Sequence, residues 1–165
     1  MNTGNNVELV GATRAAVALQ GGEVQTSVAL DQTVRRAVSA SLTPGPGKMA
    51  LDRVFLNLEN VQGTADSTAF RVYVGLPADA TAADHPELLA GSVVLFGVRK
   101  ASLPDGEHGG NGLNFVIEIT DIVDKLHLTH QFDVDALNVR LVPTHDVPAS
   151  ANIRIGRISI YRQGE

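Results

Sequence analysis

Cysteine is missing from this chain altogether, and with it go disulfides, thiol nucleophiles and thiolate metal sites. The redox compartment stays open, because absence of cysteine is compatible with either. Aromatic residues make up only 4% of the chain and are dispersed, which leaves no stacking platform for single-stranded nucleic acid. Basic charge is short as well: 13 Lys and Arg stand against 18 Asp and Glu, a net charge of −5. Nothing in that balance recruits a polyanion or an anionic bilayer, so neither nucleic acid nor a membrane is an expected partner. No apolar run approaches the ~20 residues of a membrane-spanning helix. The polar start MNTGNNVE has neither the basic nor the apolar region of a secretory signal. The sequence offers no address, and its compartment is left open.

What is present points to one folded unit. The 165 residues are 44% hydrophobic and 19% charged, enough to bury a single core. The dominant pattern has period two, the mark of strands with one buried face. In EVQTSVAL, Val24, Thr26, Val28 and Leu30 share a face; in RVFLNLENV, Val54, Leu56 and Leu58 oppose Arg53, Asn57 and Glu59. AFRVYVGLP repeats the pattern with Phe70, Val72, Val74 and Leu76, LNFVIEIT with Phe115, Ile117 and Ile119, and DALNVRLVP with Leu137, Val139 and Leu141. GSVVLFGV (91–98) is apolar on both faces, so a strand covered on both sides, or one whose second face meets a partner, is expected. In NIRIGRISIYR the apolar set changes phase from Ile153 and Ile155 to Ile158 and Ile160, which predicts a bulge or kink at Gly156.

Helical signals are sparse. Asp31 is placed to cap QTVRRAVSASL, and Thr120 or Asp121 to cap a short helix through Ile122, Val123 and Leu126, which would carry HLTH to the surface. Gly- and Pro-rich stretches separate the strands, among them TPGPG at 43–47, PADATAADHPE at 77–87 and PDGEHGGNG at 104–112. Strands at this spacing with almost no crossover helices predict an all-β fold. The form expected is an antiparallel β-sandwich or jelly-roll-like barrel of about seven or eight strands with one or two short helices. TPGPG divides the chain into an N-terminal arm, 1–47, and a β-sandwich body, 48–165.

Several segments together resemble the C-terminal domain of tyrosinases and polyphenol oxidases, bacterial ones in particular. They are RVFLNLENVQGTADSTAFRVYVGLP, HPELLAGSVVLFGV, GEHGGNG, DALNVRLVP and IRIGRISIY. The plant signature Lys-Phe-Asp-Val corresponds to AFRV here, with Ala69 and Arg71 replacing its charged residues, so contacts made by those charges do not transfer. The resemblance implies an all-β domain packed over a type 3 copper site, one that keeps the enzyme latent or assists its folding and copper loading. It implies no catalytic role and no cofactor in this chain, with copper held by a partner domain in cis or in trans.

The candidate sites are weighed against that expectation. A type 3 copper pair takes six imidazoles, and this chain has five histidines, His85, His108, His127, His130 and His145. His127 and His130 in DKLHLTHQF are candidate metal ligands, neighbours if helical, but with Asp124 and Asp133 nearby they lack an obvious third and fourth ligand. The plainer reading is a pair of exposed histidines at a helix-to-strand junction. PDGEHGGNG lacks the lysine and the strand–loop–helix setting of a phosphate loop; Glu107 and His108 there are candidates for a partner-facing loop. Asp84, His85 and Glu87 in ADHPE are explained by the Pro86 turn, and no serine has a nucleophile-elbow setting. No catalytic residue is expected. Two other readings stand beside the accessory domain: a self-associating structural or binding module, which GSVVLFGV and the arm would serve by edge pairing, and a copper carrier using His127 and His130.

Overall fold

The computed structural model describes residues 6–43, 52–66, 69–106 and 109–164. Nine strands and three short α-helices follow one another: β1 (Asn6–Ala12), β2 (Val17–Leu19), β3 (Val24–Leu30), α1 (Gln32–Leu42), β4 (Arg53–Gln62), β5 (Ala69–Val74), β6 (Leu89–Val94), α2 (Val98–Ala101), β7 (Leu113–Glu118), α3 (Thr120–Leu128), β8 (Ala136–Pro143) and β9 (Ile153–Gly164). They form one antiparallel sheet in the order β6-β5-β8-β3-β1-β9-β4-β7, with β2 added beside β9. The sheet curls until its two ends face each other. Gly91 of β6 lies against Ile117 of β7, where an added Cβ would stand 3.4 Å from Ile117 Cγ2, an ordinary van der Waals distance that places the two strands side by side. The expected all-β class is what the chain adopts, as a nearly closed barrel with three helices rather than one or two.

Period-two alternation places the core where the sequence puts it. Val54, Leu56, Leu58, Phe70, Val72, Val74, Val139 and Leu141 are all fully buried, each on the inner face of its strand. The segment before the Pro/Gly stretch supplies β1, β2, β3 and α1, and its strands β1 and β3 lie inside the sheet between β9 and β8. Residues 44–51, which hold most of TPGPG, are outside the described residues. Arg140, buried on β8, donates to the carbonyls of Pro77 and Ala80 and so staples the 77–80 loop to the sheet. Among the described residues no helix is long and apolar enough to cross a membrane.

Three local expectations change. GSVVLFGV is not one two-sided strand: β6 stops at Val94, residues 96–97 turn, and Val98 opens α2. Its outer side is open, with Val94 and Phe96 exposed while Val93 and Leu95 are buried. The phase change in β9 is real, but β9 keeps a single register against β4 from Arg53–Gln163 to Gln62–Arg154, with the Asn60–Gly156 step alone missing from the ladder. Both strands change phase together. Asn60 takes a left-handed φ of 54° beside Gly156, and the extra residue appears in β4 against β7, between Leu58 and Val61. Asn accepts that conformation more readily than most side chains. α1 is capped as expected, Asp31 Oδ1 accepting from Val34 N at 3.0 Å. α3 is not: its N-cap position is Ile119, with no side-chain cap, because Thr120 Oγ1 instead accepts from Val54 N and donates to Glu118.

Candidate functional site

Among the described residues the most exposed large apolar side chain sits on the turn that follows β6. Phe96 is 86% exposed, and its surroundings hold it there. Leu95 before it and Val98 and Ala101 after it are fully buried, and Gly97 takes a φ of 82°, which a residue with a Cβ adopts only under strain. Ser102 Oγ donates to Val98 O and accepts from Gly63 N, and Asp66 Oδ1 accepts from Arg99 N. A phenyl ring kept in water by a well-anchored turn differs from a stray surface apolar group. Val94 and Leu103 flank it in sequence and are also exposed. The adjoining loop contains Glu107 and His108, the expected partner-facing pair; both lie outside the described residues. Composition alone did not single out Phe96, because an apolar run looks the same whether its outer side is covered or bare.

The second candidate area is where α1 meets the end of α3. His127 lies in the last turn of α3, and His130 follows it with a φ of 60°. The two therefore belong to a helix end and its exit, not to one helical face. His127 Nε2 is 3.3 Å from Thr43 Oγ1. Together they border a groove of about 460 Å³ with Arg35, Arg36, Ser39, Phe132 and Asp133. Arg35 is buried; its Nε donates to Gln32 Oε1 at 2.8 Å, and its Nη2 pairs with Asp133 at 2.9 Å. These groups come from segments far apart in sequence, and only the side-by-side packing of the helices joins them.

Several other charged groups form structural pairs. On the outer face of β4 and β9, Glu59 accepts from Arg157 Nε at 2.8 Å and from Ser159 Oγ at 2.6 Å. The Arg157 hydrogen bond holds the Glu59 carboxyl below the usual range against the opposing effect of burial, and Glu59 raises Arg157 in return. Arg162 bridges Glu8 and Asp52. Arg53 pairs with Glu118 across β4 and β7 and keeps its carboxylate low. His85 Nδ1 meets Glu87 Oε1 at 3.0 Å on the short turn around Pro86, and Glu87 is lowered chiefly by that contact. His145 is exposed in the loop after β8. Among the described residues no three His, Asp or Glu side chains gather as a metal set. Among the described residues His85, His127 with His130, and His145 occupy three separate places and do not form the six-imidazole set of a type 3 copper pair.

Fold and surface thus define a small antiparallel β-barrel domain whose distinctive groups lie on a turn and in an interhelical groove. Residues 6–163 match the family described as a domain of unknown function (DUF7868), and the chain belongs to that family. It is also 28% identical over 157 residues to tyrosinase HcTyr1 of Hahella sp. (strain CCB-MM4), covering 95% of this chain and 33% of that protein. Among solved structures, the latent apple tyrosinase MdPPO1 shares the fold at a TM-score of 0.53 and 19% identity, over 90% of this chain and 27% of that one. A recombinantly expressed latent aurone synthase, a polyphenol oxidase, does so at 0.51 and 12%, over 88% and 25%. The region shared with polyphenol oxidases is their C-terminal domain, and the chain spans about a third of the tyrosinase it matches.

Proposed function

We propose that this chain is a non-catalytic accessory domain that covers or supports a tyrosinase-type copper domain, in cis or in trans. The observation that carries this reading is the extent of the match: nearly the whole chain corresponds to one third of a bacterial tyrosinase. The apple tyrosinase and the aurone synthase that share its fold are both described as latent, which supports a covering role. The turn around Phe96 supplies the contact. Its ring, with Val94 and Leu103 beside it in sequence, supplies apolar area of the kind that anchors interfaces, and Glu107 and His108, which follow in sequence, are the polar residues proposed to face the partner. Copper in this reading belongs to the partner domain. Seated over the substrate entrance, the domain acts sterically, and its displacement or proteolysis releases activity. The test is to add the purified chain to the copper domain of the Hahella tyrosinase freed of its own matching third. Phenol oxidation should fall as the chain is added in excess, and copper uptake by the partner is followed in parallel. A partner whose activity and copper loading both ignore the chain would sink the reading.

A second reading, self-association, is favoured by one observation. β6 and β7 each pair on one side only among the described strands, and Val94 and Val116 on them are exposed, so a second copy has an open edge to meet. A solution mass of one chain at micromolar concentration would dispose of it.

A further inference from the structure

We propose that the groove between α1 and the exit of α3 is an oxyanion site, taking a carboxylate or phosphate group between Arg36 and the imidazoles of His127 and His130. The site does not depend on the partner reading above. Its lining is rich in donors: two guanidiniums, two imidazoles and the Ser39 hydroxyl. The acid on its rim, Asp133, is engaged by Arg35 at 2.9 Å. Arg35 is itself fixed, its side chain 7% exposed and its Nε held by Gln32, so the ion pair is held in place and the open donors are Arg36 and the imidazoles. Arg36 is exposed, and among the described residues neither its side chain nor that of His130 has a hydrogen-bond or ion-pair partner. A planar guanidinium with free N–H groups matches a carboxylate or phosphate edge, and an imidazole N–H adds a second direction.

The same groups oppose a metal cation. The exposed Arg36 borders the histidine pair, and the nearby carboxylate is already engaged by Arg35, so a cation would meet repulsion and find too few ligands. In a chain of net charge −5, this groove is a place where positive groups outnumber negative ones. The histidines that look like half a metal site are thus better matched to an anion. The oxyanion has two sources, a free phosphate or a carboxylate presented by an acidic protein segment, and both rest on the same donors.

The experiment is a titration of the full chain with inorganic phosphate and, separately, with a tetraglutamate peptide, at fixed pH and constant ionic strength, following the histidine ring signals by NMR. The expected result is saturable movement of His127 and His130 with either probe, while His85 and His145 stay still. Response to tetraglutamate alone assigns the site to a protein carboxylate, and response to phosphate alone assigns it to free phosphate. Arg36→Ala should weaken binding about tenfold, the loss of a charge-assisted hydrogen bond. Because Arg36 is exposed, unchanged His85 and His145 signals will show that the fold is kept. Uniform drift of all the histidines, no movement at all, or affinity unaffected by Arg36→Ala would overturn the proposal.

Discussion

The pairing of β4 with β9 and the facing of β6 with β7 are two solutions to the same problem within one barrel. The first runs the length of β4 in one register, interrupted only at Asn60–Gly156, with Leu56, Leu58, Ile158 and Ile160 fully buried on its inner side. Its outer side carries the Glu59–Arg157–Ser159 cluster. The second has no ladder between its strands, is closed by side chains such as Ile117 over Gly91, and leaves Val94, Phe96 and Val116 in water. The first side satisfies backbone and side chains together, and the second, paired on one edge only, is the side on which recognition is proposed. A complete edge would have nothing to offer a partner.

That contrast can be broken most strongly from within the well-paired side. Leu56→Ala should cost about 2–5 kcal/mol, as large-to-small changes at fully buried positions do, and urea denaturation would measure it. A smaller loss is expected from Glu59→Gln, about 1 kcal/mol, since the pair it disrupts is partly exposed. The same residue gives the acid limb its sign. Its folded carboxyl titrates lower than in the unfolded chain, so its contribution is whole above the ordinary glutamate pKa of about 4.3. It fades as pH falls through the depressed folded value. Unfolding free energy followed from neutral pH downward should therefore decline less steeply in Glu59→Gln than in the wild type. Equal slopes would show that the cluster contributes nothing.

On the unpaired side the same kind of change should leave stability almost untouched. Phe96→Ser removes a side chain already in water, and its effect on unfolding should stay within about 0.5 kcal/mol. A large loss would mean that the ring packs against something and that the turn belongs to the core.

The strand faces were legible because burial on one side of a sheet writes itself into alternate residues, as in Val54, Leu56 and Leu58. α1 was legible from its cap, Asp31. Elsewhere, patterning gave out for physical reasons. GSVVLFGV is apolar at positions that end up on opposite sides of the molecule's surface, and hydrophobicity does not say whether a partner lies outside. The kink near Gly156 could be placed only on one strand from sequence, whereas a sheet accommodates it in two, and Asn60 supplies the left-handed residue. α3 lost its expected cap because Thr120 was recruited by β4, a long-range bond with no local signature. The groove around His127 and His130 was half visible: the histidines stood out, but the arginines that give the groove its charge lie on α1.

Whether Phe96 and its turn seat this domain on a copper domain is decided by comparing wild type and Phe96→Ser as inhibitors of phenol oxidation by the isolated Hahella copper domain. The wild-type chain should suppress the initial rate, and the folded variant should do so at least about tenfold more weakly, as loss of an interface anchor requires. Equal suppression by both would remove Phe96 from the interface, and no suppression by the wild type would rule out a covering role.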